Sequence, residues 1–199
     1  MKTLKCQPVI TIALVSVNVV VFLLCSLDGG ELYARGRLDV FDVLINGEYG
    51  RILWAMFFHS GMSHIFNNML ILFFLGSMIE RELGHIKYGF LYLASGIGGN
   101  LLSLWAKVVN NDISASLGAS GAIFGLDGVL LAIVLFSDRR MENVTPARVM
   151  LMVLYSLYSG FTGQNIDNAA HVGGLVTGFL AASVMIFLQR GRHRRNLTG

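Results

Sequence analysis

The chain has 199 residues, 54% of them hydrophobic and 14% charged, with a net charge of +3. That charge content lies well below the roughly 25% of soluble globular domains, so a soluble fold fits poorly, and the apolar stretches leave no room among these residues for a separate soluble domain. One membrane-embedded domain is expected over 1–190, followed by a basic cytoplasmic tail at 191–199.

Apolar runs predict spanning helices at 9–27, 62–79, 88–106, 119–136, 147–161 and 169–188. Most approach the ~20 residues that cross the hydrocarbon layer, and none has the alternating polarity of a barrel strand. The first run follows Lys2 and Lys5 like a secretory signal, but it is longer than the ~7 to 15 residues of a signal core and lacks a clean small-x-small cleavage site, so it is read as helix one. Cys6 and Cys25 are too far apart along such a helix to form a disulfide, and no metal site is expected. The polar stretch from Asp28 to Tyr49 makes the first loop long, and Ile52 to Phe58 reads as an interfacial element. The fifth run is the shortest and carries Tyr155, Ser156, Tyr158 and Ser159, which marks it as tilted, shielded or mobile.

Six spans put both termini on one side. Lys2, Lys5, Arg81, Lys87, Arg139, Arg140, Arg148, Arg190, Arg192, Arg194 and Arg195 fall there, against Arg35, Arg37, Arg51 and Lys107 on the other. Basic short loops stay in the cytoplasm, so both termini are predicted cytoplasmic. The net positive charge then reflects topology, with no nucleic-acid partner. The tail is either a stop-transfer flank or a contact for anionic lipid.

Polar residues inside apolar helices are costly and point to function. In HSGMSHIFNNML, His64 and Asn68 are four apart and share a helical face; they are either two inward donors or a polar pair joining helices. Asn67 falls on a different face and reads as a packing or interfacial residue. In LGASGAIFG, Ser120 opens an apolar helix between Gly118 and Gly121, where a substrate backbone can approach and first-turn N–H groups can face an anion. The plainer alternative is a packing stripe of Gly118, Gly121, Gly125 and Gly128. In NAAHVGGLVTG, His171 precedes Gly174 and Gly178, a spacing that lets a neighbouring helix come close. Ser120 and His171 fall at the same predicted depth. A serine hydroxyl needs a base, and neutral imidazole suits that task at physiological pH. The oxyanion needs donors, for which His64, Asn68 and the Ser120 N–H are the candidates. No acid is placed to orient His171, so the pattern reads as a dyad.

Together these residues resemble the rhomboid intramembrane serine proteases over most of the chain. HxxxN (His64, Asn68), GxSG (Gly118, Ser120, Gly121) and AHxxG (Ala170, His171, Gly174) occur in the family's order and on matching helices. The Arg51 region is similar to the family's WR motif, and Gly76, Glu80 and Gly84 to its GxxxExxxG. The resemblance implies an all-α, six-helix bundle with a long non-cytoplasmic loop between helices one and two, in a membrane that is expected to be a bacterial inner membrane. It implies an endopeptidase that cuts transmembrane proteins near a small residue, with no cofactor. Helix five would gate the site, Phe124 would pack on His171, and His59 would be a hydrogen-bonding structural residue of the loop.

Two features depart from or strain the family pattern. Gly50 stands where the family commonly has tryptophan, with Trp54 nearby. Asp127, seven residues after Ser120, is an acid in an apolar helix and reads as structural. The competing readings are a pseudoprotease that binds transmembrane partners without cutting them, and a small transporter, for which no inverted repeat is visible.

Overall fold

The computed structural model describes residues 7–137, 147, 150, 151, 154, 158 and 166–198. The expected span at 147–161, with its gating role, lies for the most part outside the described residues, as do Lys2, Lys5, Cys6, Arg139, Arg140 and Arg148. Among the described residues the regular elements are helical, and one isolated antiparallel bridge joins Leu38 to Ser116. The helices are α1 (Val9–Leu27), the short α2 (Glu31–Gly36), α3 (Val40–Leu44) and α4 (Arg51–Trp54), then α5 (Met62–Leu83), α6 (His85–Asn110), α7 (Ser120–Phe136) and α8 (Asn168–Thr198).

Three of these, α1, Met62–Leu83 and Asn168–Gly191, are long and apolar enough to cross a membrane, and α7 is a shorter apolar helix. The chain is an integral membrane protein. Helix α6 has the length but not the apolarity, because Ser95, Asn100, Ser103 and Lys107 are turned into the bundle and buried there. A helix that hides its polar face from lipid loses hydropathy without losing its place in the bundle. Helix α5 is continuous but widens into a π-helical turn at Leu72–Gly76. It ends at Gly84, whose φ of +82° suits glycine and turns the chain into α6.

The first turn of α1 is held by one carboxylate. Glu80, fully buried in α5, accepts from the N–H groups of Ile10 and Thr11 at 2.8 Å each and from Thr11 Oγ1 at 2.7 Å, and its Oε1 lies 2.5 Å from His85 Nδ1. It thus satisfies helix-start donors that have no partner within the helix.

Arg51 organises the first loop in the same way. Its guanidinium is buried and pairs with Asp42 at 2.9 Å and Glu48 at 2.6 Å while donating to the carbonyls of Ala34 and Arg37. Gly50 does not leave a gap where a tryptophan was expected. A Cβ on Gly50 would lie 2.7 Å from Nε1 of Trp54, so the Trp54 ring covers that position from four residues on.

Helices α6, α7 and α8 make the most extensive contacts in the fold, and α7 meets α8 almost backbone to backbone. A Cβ on Gly174 would lie 1.9 Å from the Gly121 carbonyl oxygen, one on Gly178 2.1 Å from that of Gly125, and one on Gly128 2.2 Å from that of Leu175. No side chain fits at these crossings, and small residues at spacing four are what allow such an approach. A main core beside them joins Met56, Leu72, Tyr88, Tyr92, Leu126 and Leu130.

Gly178→Ala should therefore destabilise the protein by about 1–3 kcal/mol through overpacking. Gly89→Ala, where the new Cβ would meet its nearest neighbour at an ordinary 3.7 Å, should be neutral or slightly stabilising, because alanine suits a helix interior better than glycine. Thermal unfolding of both variants in one detergent checks the contrast.

Candidate active site

Ser120 is the first residue of α7, and no side chain caps that helix. Its approach is fixed from behind. The Ser116 N–H and carbonyl pair with Leu38 at 2.9 and 2.7 Å, and the Gly118 N–H donates to the Ala55 carbonyl at 2.9 Å. Gly118 has φ +128°, a conformation that L side chains rarely adopt, and a Cβ there would lie 3.0 Å from Cε1 and Nε2 of His64. The residue that lets the chain turn into α7 is thus also the one the His64 ring lies against.

His171 sits in the first turn of α8, 7% exposed, with its Nε2 3.0 Å from Ser120 Oγ. The glycine crossings of α7 and α8 lie immediately beyond this pair and set the separation. The His171 ring stacks on Phe124, with centroids 4.0 Å apart and planes inclined by 8°. Its Nδ1 is buried and makes no hydrogen bond. Stacking, not a carboxylate, holds the plane of the ring.

Both residues line a cavity of about 1040 Å³, together with His64, Asn68, Gly118, Gly121 and Phe124. Ser60 Oγ lies 3.1 Å from His64 Nδ1, which leaves Nε2 uncommitted on the side facing Gly118. The Asn68 side chain is 7% exposed, and its Nδ2 is a buried donor with no hydrogen-bond partner. Unpaired buried amides are uncommon and costly.

His59 is 3% exposed and packs edge-on against His64, with ring centroids 5.0 Å apart. Its ring nitrogens are buried with no hydrogen bond of good geometry, and the Phe57 backbone is the polar group that acts on them. Burial, followed by the neighbouring His64, pushes its pKa down to about 3, with the Phe57 backbone opposing. A neutral ring in that setting acts as packing behind His64. Gly174 and Gly178 stand at the α7 crossings rather than in the cavity, and Asp127 is buried within α7.

A model of the Rhomboid domain matches residues 46–187. The chain belongs to the rhomboid family. Among its relatives, RHOMBOID-like protein 4 of Arabidopsis thaliana is 41% identical over 157 residues, covering 78% of this chain and 39% of that protein. The rhomboid protease GluP of Bacillus subtilis is 31% identical over 196 residues, covering 96% of this chain and 38% of GluP. This rhomboid thus spans well under half the length of those two relatives. YdcA of the same bacterium is of similar size: 28% identity over 192 residues covers 96% of this chain and 94% of YdcA.

Several polar residues of the rhomboid cavity were not singled out by sequence reasoning. Asn67, assigned to packing or the interface, borders the cavity beside Asn68, and Tyr33, Asn100, Ser103, Lys107, Ser116 and Asp167 complete a polar arm. Their signal was weak because they are scattered over loops, the short α2, α5 and the inward face of α6. Substituting Gly118 tests the local geometry. Gly118→Ala should lower stability by about 1–3 kcal/mol through backbone strain and displace the His64 ring, which thermal unfolding and the His64 imidazole NMR signals would detect.

Proposed function

We propose that the chain is an intramembrane serine endopeptidase in which Ser120 is the nucleophile and His171 the general base. The observation that carries this reading is the 3.0 Å contact between Ser120 Oγ and His171 Nε2, half-buried in a membrane protein at the wall of a cavity. Membership of a family that includes named rhomboid proteases supports it.

In the reaction, Ser120 Oγ attacks the carbonyl carbon of the scissile bond while its proton passes to His171 Nε2, which requires the tautomer with hydrogen on Nδ1. The carbonyl oxygen becomes an oxyanion. Asn68 Nδ2, the Ser120 N–H and His64 Nε2 are the donors assigned to it, and a Ser60 hydroxyl donating to His64 Nδ1 would keep the proton on Nε2. Collapse of the intermediate breaks the C–N bond, with the proton on His171 going to the leaving amine. Water then attacks the acyl-enzyme, again with His171 as base, and releases Ser120. This sequence requires no cofactor.

The substrates are transmembrane proteins, cut near a small residue where their helix unwinds, because a helical peptide bond must be freed before a serine can reach it. A bundle of six spans, completed by 147–161, with both termini cytoplasmic in a bacterial inner membrane, would place the cavity near the outer surface. A pseudoprotease that binds the same partners without cutting them is the second reading; it is served by the same cavity and helices.

Cleavage of a single-span protein by the purified chain in bilayers separates the two. Ser120→Ala and His171→Ala should each abolish cleavage while leaving membrane insertion intact. Asn68→Ala or His64→Ala should lower kcat by roughly 10²- to 10³-fold, as loss of an oxyanion donor does. Equal cleavage by wild type and Ser120→Ala would overturn the assignment of the nucleophile, and binding without cleavage would favour the pseudoprotease.

A further inference from the structure

Asp167 immediately precedes α8, and each of its acceptor atoms has a partner. Its Oδ1 accepts from the Ala170 N–H at 2.9 Å and its backbone carbonyl from the His171 N–H at 3.2 Å. Its Oδ2 accepts from the hydroxyls of Ser103 in α6 and Ser116 in the segment leading to Ser120. Ser103 is fully buried and Ser116 is 8% exposed. Ser116 is itself fixed through its backbone pair with Leu38. Three stretches of chain therefore converge on one carboxylate: the start of α8, the inner face of α6 and the lead-in to α7.

We propose that Asp167 is a positioning residue for the Ser120–His171 pair, fastening the first turn of α8 to the segment that delivers Ser120. The inference rests on the protease reading. Asp167 is not a third member of the dyad, because His171 Nδ1 makes no hydrogen bond. It acts through the backbone. His171 lies one turn into the helix that Asp167 starts, so any slip of that turn is carried directly to Nε2. An ionised carboxylate has only acceptor sites, and hydroxyls donating to it make stronger bonds than neutral pairs. Its position also suits the helix start, where an acidic side chain satisfies an unpaired N–H and complements the helix dipole. The glycine crossings fix how closely α7 and α8 approach. Asp167 fixes where along that contact His171 stands.

The test uses the full chain in bilayers and a single-span substrate, with kcat and KM measured separately. Asp167→Ala should lower kcat by about 100-fold with KM little changed, the loss expected of a displacement of about 1 Å in a reacting group. Asp167→Asn should recover most of that loss, because asparagine caps a helix as well as aspartate and its amide can bond the two serines. The Ser103→Ala/Ser116→Ala double variant should reproduce much of the defect, and adding Asp167→Ala to it should cost far less than in the wild-type background, as groups acting as one unit do. An unchanged kcat in Asp167→Ala, a change confined to KM, or fully additive losses would overturn the proposal. Hydrogen exchange over residues 166–175 reads the same anchor without catalysis: faster exchange in Asp167→Ala, restored by Asp167→Asn, is expected, and unchanged protection would overturn it. Wild-type protein that fails to cleave would defeat the protease reading, and hydrogen exchange would then decide the anchor alone.

Discussion

The arrangement of this protein depends on the contact between the backbones of α7 and α8. At Gly128 on one side and at Gly174 and Gly178 on the other, a carbonyl oxygen of the facing helix stands where a Cβ would otherwise be. In a bilayer, helices gain little from hiding apolar surface against each other, since lipid is as apolar as they are; close packing must supply the association. Here it does so beside Ser120 and His171. A pair of helices held apart by ordinary side chains would leave Ser120 and His171 beyond hydrogen-bond reach.

Close approach alone does not fix rotation or register, and polar anchors do that in this fold. Glu80 holds the start of α1 against α5, Arg51 gathers the first loop onto Asp42, Glu48 and two carbonyls, and the Leu38–Ser116 pair ties that loop to the segment before α7. Each anchor is a charged group or backbone pair with its partners in place, which is the condition under which burial of polar groups is tolerated. The cavity differs in this respect. Asn68 Nδ2 is a buried donor without a partner at its wall, and an unsatisfied donor of that kind is what a site for developing negative charge requires.

The motif residues were legible in the sequence because they interrupt apolar helices. His64, Asn68, Ser120 and His171 stand out against runs of leucine, isoleucine and glycine, and helical spacing alone puts the first two on one face. The helices expected at 9–27, 62–79 and 169–188 were legible as those apolar runs, and the second and third extend further, to Leu83 and Thr198. Helix α6 was expected at 88–106 but spans His85–Asn110, and its buried polar face makes it a weaker apolar signal than its packing warrants. Asp167, Ser103 and Ser116 escaped notice because their meaning lies in convergence: Ser103 and Ser116 are 64 and 51 residues from Asp167 along the chain, and no local pattern brings the three together. Gly50 in place of a tryptophan was visible as a difference, but only packing shows that the Trp54 ring, four residues later, covers that position.

The most direct measurement of the central claim, that helix packing makes Ser120 reactive through His171, is reaction of the purified protein with a fluorophosphonate, followed by mass spectrometric location of the adduct. The account predicts one adduct, on Ser120 Oγ, that is lost in His171→Ala. An adduct on another residue, no adduct at all, or labelling of Ser120 that persists without His171 would contradict it.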